Sequence, residues 1–167
     1  DEEQALKNYM SYLNQMGVTA VGDVALTGES PDDIVYPELY AKVEKEATVR
    51  VSFFPAMREA VEQNRELYEK YRSKMLQMGG VKQFYDGVTS SHTAYLKEPY
   101  PMPFFEGDVG GPLLTEEKME RLTLLANKEG WPMRIHTVGD KAIALTLQNF
   151  KKAQEETPFD VPYKFNT

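Results

Sequence analysis

Two short apolar runs set a lysine or a histidine among hydrophobic neighbours, and each ends where a glycine meets an aspartate. They are Gly80-Val81-Lys82-Gln83-Phe84-Tyr85-Asp86-Gly87 and Pro132-Met133-Arg134-Ile135-His136-Thr137-Val138-Gly139-Asp140. A short apolar run that stops at such a pair reads as a buried strand feeding a loop. Around them, helical spacing alternates with strand-like runs. Ala5, Leu6, Tyr9, Leu13 and Met16 mark a helix over residues 2–16, and a strand is expected from Val18 towards Leu26. A short charged helix is expected from Pro37 to Ala47, and a strand from Thr48 to Phe54. The clearest helical pattern covers 58–78, with Val61, Asn64, Tyr71 and Met75 on one face and Gly79-Gly80 as its stop. Beyond the Lys82 strand lies a long connection, 88–114, rich in Ser, Thr, Pro and Gly. Connections of that length within a domain are usually functional or mobile. Thr115 then opens a helix buried through Met119, Leu122, Leu125 and Ala126. The His136 strand follows, and a last helix from Asp140 to Gln154 is expected to bury Ile143, Leu147 and Phe150.

Alternation of this kind implies an α/β fold with parallel strands and right-handed crossovers. Four strands are expected, in either a doubly wound sheet or a partial (β/α) barrel. No Gly-x-Gly-x-x-Gly or Gly-Lys-Ser/Thr phosphate loop is present, which disfavours the usual nucleotide-binding sheets. On the barrel reading, Lys82 and His136 lie near the C-terminal ends of neighbouring parallel strands, where α/β barrels keep their chemistry.

Composition narrows the partners. An apolar fraction of 41% in 167 residues supports a packed core, and a formal net charge of -7 argues against nucleic acid. No apolar run is long enough to span a membrane, and zero cysteines rule out disulfide and thiolate chemistry. A cytoplasmic setting is the expectation that fits. The opening Asp1-Glu2-Glu3-Gln4 and the closing 159–167 read as cuts within a longer protein.

A lysine in a buried strand is costly unless it is paired or modified. Carboxylation would turn Lys82 into a metal-bridging carboxylate, and desolvation would suit it to Schiff-base chemistry. A salt bridge to Asp86, Asp23 or Asp140 is the structural alternative. His136 is a candidate metal ligand or acid–base group, or else a histidine bonded to a loop carbonyl. Asp140 is expected to cap the last helix, or else to hold a loop or stand behind the site. Asp86-Gly87 is a turn signal whose carboxylate faces substrate or orients the loop, and His92 is expected to stabilise that loop rather than to bind metal. Asp23 is a weak candidate at the same sheet end. No nucleophile elbow surrounds any serine, so no Ser-His-Asp triad can be assembled.

With Thr93-Ala94-Tyr95-Leu96 and Glu98-Pro99-Tyr100 after it, the run Val81 to Gly87 resembles the amidohydrolase superfamily. The branch it is most similar to contains the N-substituted formamide deformylases and related metal-dependent hydrolases. His136-Thr137-Val138-Gly139-Asp140-Lys141-Ala142 resembles the His-x-x-Gly-Asp-x-Ala motif that follows that branch's fifth barrel strand, and Gly17 to Asp23 resembles its second-strand entry. The resemblance implies a fragment, residues 1–167, of a TIM-type barrel spanning strands two to five. It implies hydrolysis of amide or other C–N bonds in a small-molecule substrate by water activated on a divalent metal, with zinc the expected ion. It casts His136 as the fifth-strand metal ligand and Lys82 as the fourth-strand lysine, often carboxylated. Asp86, Asp140 and the loop residue His92 then become second-shell or substrate-loop positions. The family's His-x-His pair, sixth-strand histidine and late aspartate have no counterpart here, so the piece alone is expected to be inactive. It is also expected to self-associate over open sheet edges. Two alternatives are a non-catalytic module of the same fold acting through protein contacts, and a lysine Schiff-base enzyme.

Overall fold

The computed structural model describes residues 1–25 and 35–158. It resolves into two compact units, residues 1–81 and 82–167. The strand expected to run on to Leu26 ends at Val24, and residues 26–34 and the closing 159–167 lie outside the described ones.

In the first unit, α1 (Glu2–Gln15) is capped by Asp1, whose carboxylate accepts from the Glu3 N–H, and Glu2 and Glu3 place negative charge at the positive end of the helix. Gly17 leaves the helix at φ 76°, a conformation that glycine adopts without strain. Strands β1 (Ala20–Val24), β2 (Arg50–Phe54) and β3 (Leu76–Met78) form a parallel sheet in the order β1-β2-β3. Its register aligns Val21 with Val51 and Leu76, and Asp23 with Phe53 and Met78. Aligned residues of parallel strands share a face, so Val51, Phe53, Leu76 and Met78, all buried, form the core side. Gly22, Ser52 and Gln77 share the other face. Helix α2 (Pro37–Val43) continues into a 3₁₀ turn at Glu44–Glu46.

The expected helix over 58–78 is shorter. Helix α3 spans only Glu62–Lys70, and beyond Tyr71 the chain bends through 73–75 into β3, a fifth strand. Local polar chemistry breaks the helical pattern. The Ser73 hydroxyl accepts from the N–H groups of Met75 and Leu76, offering the backbone an alternative to the helix ladder. Tyr71 turns its ring edge-on to Phe53, with centroids 5.5 Å apart, and its hydroxyl donates to Glu38. Gly79 extends the ladder by donating to Phe53 O, and a side chain there would meet the Phe54 ring at 2.7 Å.

The second unit opens within β4 (Val81–Phe84), which is hydrogen-bonded to β5 (Met133–His136). Helix α4 (Glu116–Lys128) is capped by the Thr115 hydroxyl, as expected, and buries Met119, Leu122, Thr123 and Ala126. Helix α5 (Asp140–Glu156) departs from expectation. Its buried stripe is Ala142, Thr146, Asn149 and Ala153, while Ile143 and Leu147 are 43% and 62% exposed. Small residues let α5 lie close against α4, and the Asn127 amide fastens the pair by donating to the carbonyls of Ala153 and Thr157. Among the described residues no helix is long and apolar enough to cross a membrane.

Candidate metal half-site at the ends of β4 and β5

Lys82 and His136 fall on hydrogen-bonded neighbours. The Tyr85 N–H, just past β4, donates to the His136 carbonyl at 2.9 Å. Lys82 and Phe84 stand two residues apart on β4 and so share a face. The Lys82 ammonium lies 4.1 Å from the Phe84 ring centroid, and the His136 ring lies 5.0 Å from the same centroid, tilted by 34°. One aromatic ring thus touches both candidate side chains.

Lys82 is only 8% exposed and forms no hydrogen bond or ion pair with a described residue. The salt bridge to Asp86, Asp23 or Asp140 therefore does not form. Burial, reinforced by the Arg134 charge, brings its pKa down to about 8. A lysine in that state carries a substantial fraction of neutral amine near neutral pH, the form that attacks carbon dioxide or a carbonyl. His136 is half-buried and its Nε2 donates to the Gly87 carbonyl at 3.0 Å. That bond is the loop-carbonyl contact expected of a structural histidine. It also leaves Nδ1 with the lone pair, and a carbonyl partner of this kind orients metal-bound imidazoles.

The three carboxyl-bearing candidates turn out to be loop fasteners. Asp86 is fully buried and accepts three backbone N–H groups, from Tyr95 at 2.8 Å, Val138 at 2.9 Å and Gly139 at 2.7 Å. It ties the start of the long connection to the turn after β5. Asp140 does not cap α5. Gly139 occupies the N-cap, where its Cα packs on the Tyr95 carbonyl, and Asp140 instead accepts from Lys97 N–H at 3.0 Å. Asp23, within β1, accepts from the Tyr40 hydroxyl at 2.8 Å and is a tether to α2 rather than a turn residue. Burial first, and then this bond, push the Tyr40 phenol upward.

His92 stabilises the loop. Its ring is stacked between Tyr100 and Phe104, at 4.0 and 3.9 Å, and Nδ1 meets Asp108 Oδ2 at 2.6 Å. Asp108, which sequence reasoning passed over, also accepts from Phe104 and Gly110 N–H. The His92 hydrogen bond is the main cause holding its carboxyl below the usual range. The Asp-x-Gly of Asp108-Val109-Gly110 was the available signal for a turn built on that carboxylate. Phe84 was also missed, although its spacing from Lys82 in the strand places both on one face.

Among the described residues no three His, Cys, Asp or Glu side chains are gathered as a metal cluster. Lys82 and His136 fit a part of such a site: one imidazole with a free lone pair, and one amine that becomes a ligand on carboxylation. A small surface cleft lies elsewhere, between α4, α5 and β5, lined by Thr123, Asn127, Trp131 and Phe150 among others. None of its lining residues is a predicted site residue.

Residues 1–162 match the profile of the amidohydrolase family. The chain belongs to that family. Its curated relatives include Protein LONG AFTER FAR-RED 3 of Arabidopsis thaliana, 29% identical over 90% of this chain and 27% of that protein. They also include the exoenzymes regulatory protein AepA of Pectobacterium carotovorum, 27% identical over 93% of this chain and 33% of its own length. The putative amidohydrolase YtcJ of Bacillus subtilis is 32% identical over 56% of this chain and 17% of its own. This amidohydrolase chain therefore spans about a third or less of the length of those relatives. Two solved structures, both uncharacterized metal-dependent hydrolases, share its fold. The one from Pyrococcus horikoshii has a TM-score of 0.69 at 24% identity, over 87% of this chain and 29% of that one. The one from Pyrococcus furiosus has 0.71 at 23%, over 91% and 31%.

Proposed function

We propose that this chain is part of a metal-dependent amidohydrolase that cleaves amide or other non-peptide C–N bonds of a small molecule, and that Lys82 and His136 are its share of the metal centre. The observation that carries the reading is a buried lysine without a carboxylate partner among the described residues, beside a histidine on the neighbouring strand. The names of the two Pyrococcus structures support a divalent metal in general. Zinc, a carboxylated Lys82, a place for the chain as strands two to five of a (β/α) barrel, and kinship with the formamide deformylase branch are the finer parts of the proposal. When bound, the metal would polarise the substrate carbonyl and acidify its water. His136 would present Nδ1 while the Gly87 carbonyl holds its ring, and Asp86 would keep the surrounding loops in register. With two donors the chain alone should not turn over substrate. Open sheet edges also favour self-association.

Metal analysis tests the proposal. Protein equilibrated with zinc and bicarbonate, then desalted, should retain metal that His136→Ala and Lys82→Ala each reduce. Equal metal in all three would reject it. Two other readings have an observation behind them. The low pKa of Lys82 suits a Schiff base, and borohydride trapping of a small carbonyl compound on Lys82 would favour it. The printed name of AepA, an exoenzymes regulatory protein, suits a non-catalytic module, which would retain no metal and trap no carbonyl.

A further inference from the structure

We infer that Phe84 is a positioning residue: its ring is the shared platform against which both the Lys82 amine and the His136 imidazole are held. The inference deepens the metal reading and, for its functional meaning, rests on it. A lysine stem has four rotatable carbons and loses much freedom when its end is fixed. In buried sites a carboxylate usually does the fixing, but Lys82 has no hydrogen bond or ion pair with a described residue. The contact that locates its ammonium is the Phe84 face at 4.1 Å, where the ring quadrupole attracts a cation in a desolvated setting. On the His136 side the ring is gripped twice, by the Gly87 carbonyl at Nε2 and by Phe84 at 5.0 Å. The hydrogen bond sets which nitrogen keeps the lone pair, and the tilted stacking sets the plane in which it points. Phe84 supplies no ligand atom. It restrains two groups that would, and residues that orient ligands in this way usually cost about ten- to a hundredfold in metal affinity when changed.

Carbon-detected NMR of the protein, with and without zinc, separates this role from bulk packing, because a proton over an aromatic face is shifted upfield. The Lys82 ε-methylene should lie upfield of the other lysines, and His136 ring signals should be displaced as well. Phe84→Tyr should keep both signatures. Phe84→Leu, or Phe84→Met should leucine not fold, should return the lysine signal to the common position and weaken zinc binding, read at His136, about tenfold or more. A wild-type Lys82 signal no different from the others, or one that Phe84→Leu leaves in place, would overturn the inference. If the lysine signature behaves as stated but zinc perturbs neither residue in the wild type, the platform is supported and the metal reading fails.

Discussion

Lys82 and Tyr85 sit three residues apart on one strand and its exit, yet they pull stability in opposite directions as pH rises. Lys82 titrates near 8 in the folded chain and near 10.5 when unfolded, so between those values the unfolded state binds the extra proton and stability climbs with pH. Tyr85 is buried, its hydroxyl has no partner among the described residues, and burial pushes its pKa up to about 12 from 10. From about pH 10 the unfolded chain gives up that proton first, and stability falls. Denaturant titrations at stepped pH should show a rise that Lys82→Met removes and an alkaline fall that Tyr85→Phe lessens, the Tyr40 phenol contributing to what is left. At neutral pH Tyr85→Phe should be neutral or stabilising by about 1 kcal/mol, since it deletes an unsatisfied buried group. Asp86→Ala should instead cost about 2–4 kcal/mol by stranding three backbone N–H groups, that of Gly139 buried and those of Tyr95 and Val138 half-buried. The identities of Lys82 and His136 as ionisable groups set in strands were legible in the sequence. That Asp86 and Asp140 could hold loops was legible too, but not which N–H groups they satisfy, because these lie up to 53 residues away.

At the scale of elements, alternation was readable while the buried faces were less so. Helix α5 carries Ile143 and Leu147 at a spacing that mimics a core stripe, but its close approach to α4 selects the small and polar residues of the adjoining stripe. The split of the expected helix over 58–78 into α3 and β3 turned on one serine hydroxyl and on the ring of Tyr71 against Phe53, contacts with no periodic signature. The long connection 88–114 is fastened at Asp86, Asp108 and Asp140, which argues for a fixed wall rather than a freely moving lid. Gly139 is the tightest of these joints, since a Cβ there would lie 2.0 Å from the Tyr95 carbonyl. Gly139→Ala should therefore force the connection off the turn after β5, and limited proteolysis should cut within 88–114 much faster than in the wild type. His92→Ala should also speed cutting, near Phe104, by removing the ring on which Phe104 stacks.

For the molecule as a whole, the parallel sheet of the first unit matches what the alternating pattern implied, and in the second Lys82 and His136 lie on neighbouring strands. The chain belongs to the amidohydrolase family but spans about a third or less of these relatives' length, and its reaction is a proposal. The chain's two histidines provide a built-in control for the central claim: one belongs to the candidate site, the other to a closed aromatic stack. The most direct measurement is imidazole NMR of the protein during titration with Co²⁺, whose unpaired electrons broaden and shift nearby nuclei. The account predicts that His136 responds first and that its response is weakened by Lys82→Ala, while His92 holds its position. A response confined to His92, or none from His136 at saturating Co²⁺, would contradict it.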